Sequence, residues 1–333
     1  MLVAAGAGVT AAVTLNASTT KKVALTYGSL FEIGGLGTAE VTITGSAAAA
    51  PGSTLPGLVE IGASAGAAGT LAIGGAAAKL TAGMVEIGGG TVAGGAGLVS
   101  LTGGGVLAAG TATIWSGGSL ALAGGTLSGT TMTVLGVAAG FGAITGAIGN
   151  AGTITATGGV LTLAAPVAGS GTLALAAGTL DLGGGAAATQ TVAFDPGADR
   201  LQLDALAATK GTIEGFGGGD SILLTGTLAD AATWAGGVLT LTEAASPVGT
   251  LAIAGSFSAD SFRVTNDGTD STIALACFTT GTGIATAAGR RPVETLTVGQ
   301  HVPAASGRLA TIRWIGRRDL DLARHARPWE VMP

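Results

Sequence analysis

Short segments in which apolar residues alternate with small or polar ones recur along the first 265 residues. Examples are Val41-Thr42-Ile43, Leu71-Ala72-Ile73, Val99-Ser100-Leu101, Leu120-Ala121-Leu122, Leu161-Thr162-Leu163, Leu173-Ala174-Leu175 and Leu201-Gln202-Leu203. A period of two is that of a half-buried β-strand. Glycine punctuation separates most of them, as at Gly124-Gly125-Thr126 and Gly178-Thr179. Strands this short bury no core alone, so they must stack. A longer repeat overlies the alternation: Phe31-Glu32-Ile33-Gly34, Val59-Glu60-Ile61-Gly62 and Val85-Glu86-Ile87-Gly88 are spaced 28 and then 26 residues apart. Repetition on that scale predicts coils laid on coils. The expected fold is all-β, a parallel β-solenoid over 1–265, most simply a right-handed β-helix. Glycine suits corners that need φ > 0, small aliphatics suit a narrow interior, and Thr suits the outer face. A glycine-rich helix over Val134 to Ile148 competes. It is disfavoured because Gly136, Gly140, Gly142 and Gly146 each weaken a helix by up to ~1 kcal/mol.

From about Val192 to Phe262 the pattern coarsens. Acids return (Asp195, Asp199, Asp204, Glu214, Asp220, Asp230), together with larger core candidates (Phe194, Phe216, Trp234, Phe257). This segment reads as a terminal stack closing an edge that would otherwise invite aggregation. Gly217-Gly218-Gly219-Asp220 faintly resembles the nonapeptide of calcium β-rolls, a motif that needs tandem copies to assemble its oxygen ligands. One copy is present, so a solvated corner is the preferred reading, with no metal site.

Composition narrows the class. The chain has 62 glycines in 333 residues, only 9 prolines, 10% charged residues and 47% apolar residues. Collagen is excluded by the missing three-residue period, and disorder by the apolar content with little net charge. No uncharged run reads as a membrane-spanning helix, since Gly, Thr and Ser interrupt each one. Charge is unevenly placed. Residues 1–276 carry 6 Lys+Arg and 15 Asp+Glu, whereas 277–333 carry 8 Arg and 4 acids; none lies between Ile87 and Leu180. Weak overall acidity gives no reason to expect nucleic acid as a partner. The apolar start lacks a basic region ahead of it, so no signal peptide is assigned and the export route stays open. The glycine spacings lack a following Gly-Lys-Ser/Thr, and His301 and His325 lack a nucleophile elbow nearby, so phosphate binding and Ser–His–Asp hydrolysis are unsupported. No cofactor is expected.

The last 57 residues follow a different pattern. Thr265-Asn266-Asp267-Gly268 reads as a turn-rich joint, and 266–276 as linker and strand. Cys277-Phe278-Thr279-Thr280-Gly281-Thr282-Gly283-Ile284-Ala285-Thr286 follows, then Gly289, Val293-Glu294-Thr295-Leu296, Val298-Gly299 and Arg313-Trp314-Ile315-Gly316-Arg317-Arg318. Read as C-F-x-x-G-T-x-I-x-T, G-x-x-x-V-E-x-L-x-x-G and W-I-G-x-R, the segment 277–333 resembles the N-terminal part of a Hint domain, the hedgehog/intein self-processing module. The resemblance implies that the Cys277 thiol attacks the carbonyl of Ala276, turning a peptide bond into a thioester. A thiol of pKa ~8.5 is only partly ionised at pH 7, so the step needs a positioned histidine and oxyanion donors. Arg290 or Arg291 would lower the thiol pKa if near it. Two departures stand out. No Thr-x-x-His follows Cys277, and Gln300 stands where the family has Asp. The segment stops short of a whole module, so a truncated and inactive processing domain is expected. Trp314 is expected in a core, and His301 and His325 in solvated loops. The resulting reading is a secreted or cell-surface passenger that self-associates, if at all, through its solenoid ends and carries an autoprocessing module at most. The alternative is an adhesin-like structural solenoid with no catalysis.

Overall fold

The computed structural model describes residues 2–3, 10–17, 30–45, 52–276, 283–287, 289–303 and 309–316. Among these the protein is all-β, with two single-turn 3₁₀ segments, Leu206–Ala208 and Val293–Thr295, and no α-helix. No helix among them is long and apolar enough to cross a membrane. A 24-stranded, mostly parallel sheet dominates.

The predicted alternation is realised as three parallel ladders that the chain revisits in turn. In the first, register stacks Val41, Leu71, Val99, Leu120, Ala138, Ile154, Leu173, Val192, Ile213 and Ile253 on one another. The second stacks Leu80, Leu107, Leu127, Ile144, Leu163, Leu182, Leu203 and Leu224. The third stacks Phe31, Val59, Val85, Ala112, Met132, Ile148 and Val167. All these side chains are buried and join one core. Each fully buried Leu, Ile or Val contributes about 1.5–3 kcal/mol, which makes the columns the main source of stability. Repeats are long at first (Val41 to Leu71 to Val99) and shorten later (Ile154 to Leu173 to Val192).

The region where a helix competed is strand: Gly118–Val134 and Val137–Asn150. Gly140, Gly142 and Gly146 adopt φ of 123°, 135° and 103° there, values no α-helix uses. The three Glu-Ile-Gly repeats fall in register, so that Glu32, Glu60 and Glu86 lie on successive strands. Their glycines Gly34, Gly62 and Gly88 turn each corner at φ 68°, 67° and 75°. A Cβ at any of them would strike backbone of the next coil, so both conformation and space demand glycine.

One polar pair interrupts the core. Asn150 and Gln190 are fully buried. The Asn150 amide donates to Gln190 Oε1 (2.9 Å) and Thr172 O (3.2 Å), while Gln190 Nε2 donates to Asn150 O (2.8 Å) and Ala168 O (2.9 Å). The pair clips strands together at a corner by satisfying main-chain carbonyls that a buried turn leaves open.

The parallel stack continues into the coarser segment as far as Ser221–Leu224, and antiparallel pairing begins at Ala231. Strands Ala231–Ala235, Val238–Glu243 and Ser246–Ile253 form an antiparallel meander, and Phe262–Asn266 pairs antiparallel with Ser271–Leu275. The meander joins the first ladder through Ile213–Ile253, and the hairpin joins the second through Leu224–Ser271. Aromatic rings fill the core here. Phe194 meets Phe216 edge-on at 5.3 Å, Phe216 stacks on Phe262 at 5.9 Å, Phe262 meets Phe257 at 5.0 Å, and Phe257 meets Trp234 at 5.7 Å. The joint expected at 265–268 is the turn of the hairpin, and the strand after it belongs to the sheet. Asp267 shapes that turn by accepting the N–H groups of Thr269 and Asp270, both at 2.9 Å.

The chain divides into two compact units, Met1–Leu275 and Ala276–Pro333.

Candidate functional site

The peptide that follows the last strand of the first unit is the candidate site. Leu275 is the last residue of its strand and pairs with Phe262. Ala276 follows with no regular structure and is exposed. Cys277, the expected nucleophile, lies outside the described residues, as do His325, Arg317 and Arg318.

In the second unit, Gly283–Thr286 and Gly289–Pro292 form an antiparallel hairpin. Thr286 Oγ1 donates to Gly289 O (2.6 Å), and Arg290 Nε donates to Gly283 O (3.0 Å). The Arg290 side chain therefore braces the hairpin. The 3₁₀ turn Val293–Thr295 leads to Leu296, which is buried. A tight turn comes next, with Gly299 at φ 95°. Gln300 Oε1 accepts the Thr297 N–H at 3.2 Å and so closes the turn. A second hairpin pairs His301–Pro303 with Leu309–Thr311. His301 is exposed, and its Nε2 lies 3.3 Å from Thr311 Oγ1. Trp314 corrects its expectation: it is 81% exposed rather than packed in a core.

Residues 276–333 match the family model for the Hint domain. The chain carries a Hint domain at its C-terminal end. No curated protein matches the chain. The Hint match begins at Ala276, where the second compact unit also begins.

The first unit holds a second set of chemically distinctive groups, the buried acids Glu86 and Asp199 and the half-buried Glu60 and Asp181. Burial raises the Glu60 carboxyl above its ordinary value, and Glu32 on the neighbouring strand adds to the rise. Burial also raises Glu86, with a smaller contribution from Glu60. Hydrogen bonds from Trp115 Nε1 (2.6 Å) and Thr113 Oγ1 (3.2 Å) partly offset that rise. Asp181 is raised by burial and then by Asp204. Asp199 is raised by burial, against the N–H groups of Gly178 and Ala177.

Asp220 departs from the solvated corner expected of it. It is buried, and it accepts the N–H of Gly217 (2.7 Å) and of Asp199 (3.1 Å). Asp199 in turn accepts the Gly178 N–H (2.9 Å) on the preceding coil. These aspartates hold successive corners together, a role that needs main-chain proximity and that composition does not reveal. Among the described residues no group of three or more His, Cys, Asp or Glu is placed to share a metal ion.

Proposed function

We propose that the first unit is a parallel β-solenoid passenger, secreted or displayed at a cell surface, and that the Hint segment is its self-processing module. In this reading Cys277 Sγ attacks the Ala276 carbonyl carbon. The new C–S bond replaces the C–N bond, and the Cys277 nitrogen takes up the proton lost by the thiol. The resulting thioester is resolved by water or a small nucleophile, which leaves the passenger ending at Ala276. One observation supports the position above the rest. The two compact units divide between Leu275 and Ala276, so scission after Ala276 breaks no strand pairing of the first unit. An exposed peptide just past a strand end is also where an attacking group gains access at least cost to the fold.

Return to the same ladders with inward aliphatic columns and glycine corners supports the solenoid reading. Residues 277–333 contain no Thr-x-x-His, the element this family uses to assist the acyl shift. The second reading, a purely structural adhesin-like solenoid, rests on that departure.

Hydroxylamine separates the two, because it captures a thioester as a hydroxamate. The gene product isolated from the cells that make it is expected to include a species ending at Ala276, lost in Cys277→Ala. A native product that runs unbroken through Cys277, with or without hydroxylamine, overturns self-processing in favour of the structural reading.

A further inference from the structure

We propose that the outward face of the first ladder docks a second copy of this chain. Two outward columns run along that face, one from Thr70 to Thr191 and the other from Ala72 to Ala193, across seven successive strands. Neither carries a charge. The nearest acids on the same columns stand one strand beyond each end, at Glu40 and Glu214. The other ladders differ. The second carries Lys79 and Asp181 on its outward column, and the third carries Glu32, Glu60 and Glu86. Over these seven strands the first ladder carries no outward charge, while the other two carry Lys79, Glu86 and Asp181 at the ends of a stretch, Ile87 to Leu180, that is free of charge on every face.

What remains on that face is small or apolar, with Leu98 37% and Val137 44% exposed. Soluble proteins keep charge interspersed over their surfaces, and large uncharged faces are ones that become covered. Ala, Thr, Ser and Val lose little rotamer freedom when covered, and flat sheets stack face to face at ~10 Å.

Size favours a second copy. The seven strands, about 4.8 Å apart, pair over seven residues at the Thr70 end and four at the Thr191 end, which presents about 550 Å². Two such faces bury about 1,100 Å², just above the ~1,000 Å² that a specific interface needs. The face is also self-matching, because both copies present the same strand spacing. Whichever in-plane two-fold axis relates them, an acidic end meets an acidic end, so salt tightens the dimer by screening Glu40 and Glu214. The proposal is independent of the processing chemistry.

Analytical ultracentrifugation of the full chain tests it. The wild type is expected to pass from monomer to dimer in the micromolar range, and at lower concentration in 0.3 M than in 0.03 M salt. Thr153→Lys with Thr172→Lys, both outward on this face, is expected to weaken association at least tenfold. Thr126→Lys, outward on the second ladder, leaves association unchanged, and thermal melts establish that each variant folds. A wild type that stays monomeric at all concentrations overturns the proposal. So does a dimer that survives the paired lysines, or one that Thr126→Lys weakens equally.

Discussion

Gly88 and Gly66 show how much a single position depends on its surroundings. Both have positive φ, 75° and 79°. A Cβ at Gly88 would collide with the backbone of Gly118 and Gly117, whereas at Gly66 it would meet nothing within 4 Å. Gly66→Ala is expected to cost about 1 kcal/mol, from backbone strain alone. Gly88→Ala adds a main-chain clash and is expected to cost about 3 kcal/mol or more. Leu182→Ala, in the middle of the second ladder's column, should cost about 2–5 kcal/mol. Urea denaturation reads all three.

The acids make a prediction in pH. Glu60, Glu86, Asp181 and Asp199 have folded-state pKa values raised above their ordinary ones. A folded state that holds its protons more tightly than the unfolded chain is favoured at low pH. The contribution is complete below the ordinary carboxylate range and is lost as pH rises through the raised values. Asp267, lowered by the N–H groups of Asp270 and Thr269, acts in the opposite sense but is fully exposed. The melting temperature is therefore expected to fall as pH rises above the ordinary carboxylate range, and Glu60→Gln with Glu86→Gln should flatten that slope. A melting temperature that climbs steadily as pH rises there would refute the placement of these carboxylates.

At the scale of elements, the parallel coils are legible in sequence because each inward position is aliphatic and each corner glycine is forced. In Leu161-Thr162-Leu163 and Leu173-Ala174-Leu175 the alternation by itself states which side faces inward. The closing segment is legible only in outline. Its returning charge and aromatics mark a terminal stack, but a strand's periodicity carries no information on parallel or antiparallel pairing. The hairpin of Phe262–Asn266 and Ser271–Leu275 reads as a joint for that reason. The corner aspartates escape a sequence reading too. Asp220 looks like any surface acid until the Gly217 and Asp199 N–H groups are placed against it. Trp314 misleads in the other direction, being exposed although aromatic. The aromatic plug has a direct test. Phe216 touches both Phe194 and Phe262, so Phe216→Ala is expected to cost about 3–5 kcal/mol. It should also increase hydrogen exchange in the terminal strands before the central coils.

For the whole molecule, the physical contrast is between an acidic, glycine-punctuated β unit and an arginine-bearing Hint segment. The Hint motif is legible because its chemistry requires fixed residues at fixed spacings. The role of the stacked parallel sheet is not, because a stack of aliphatic columns specifies a shape and leaves the ligand open. What ties the halves together is the peptide bond between Ala276 and Cys277. Intact-mass spectrometry of the native gene product, with Cys277→Ala alongside, tests the account most directly. The expected result is a species whose C-terminus is Ala276, the free acid when water resolves the thioester and the hydroxamate when hydroxylamine captures it, and absent from the variant. Only masses that run unbroken across that bond, differing between wild type and variant by the substitution alone, would contradict it.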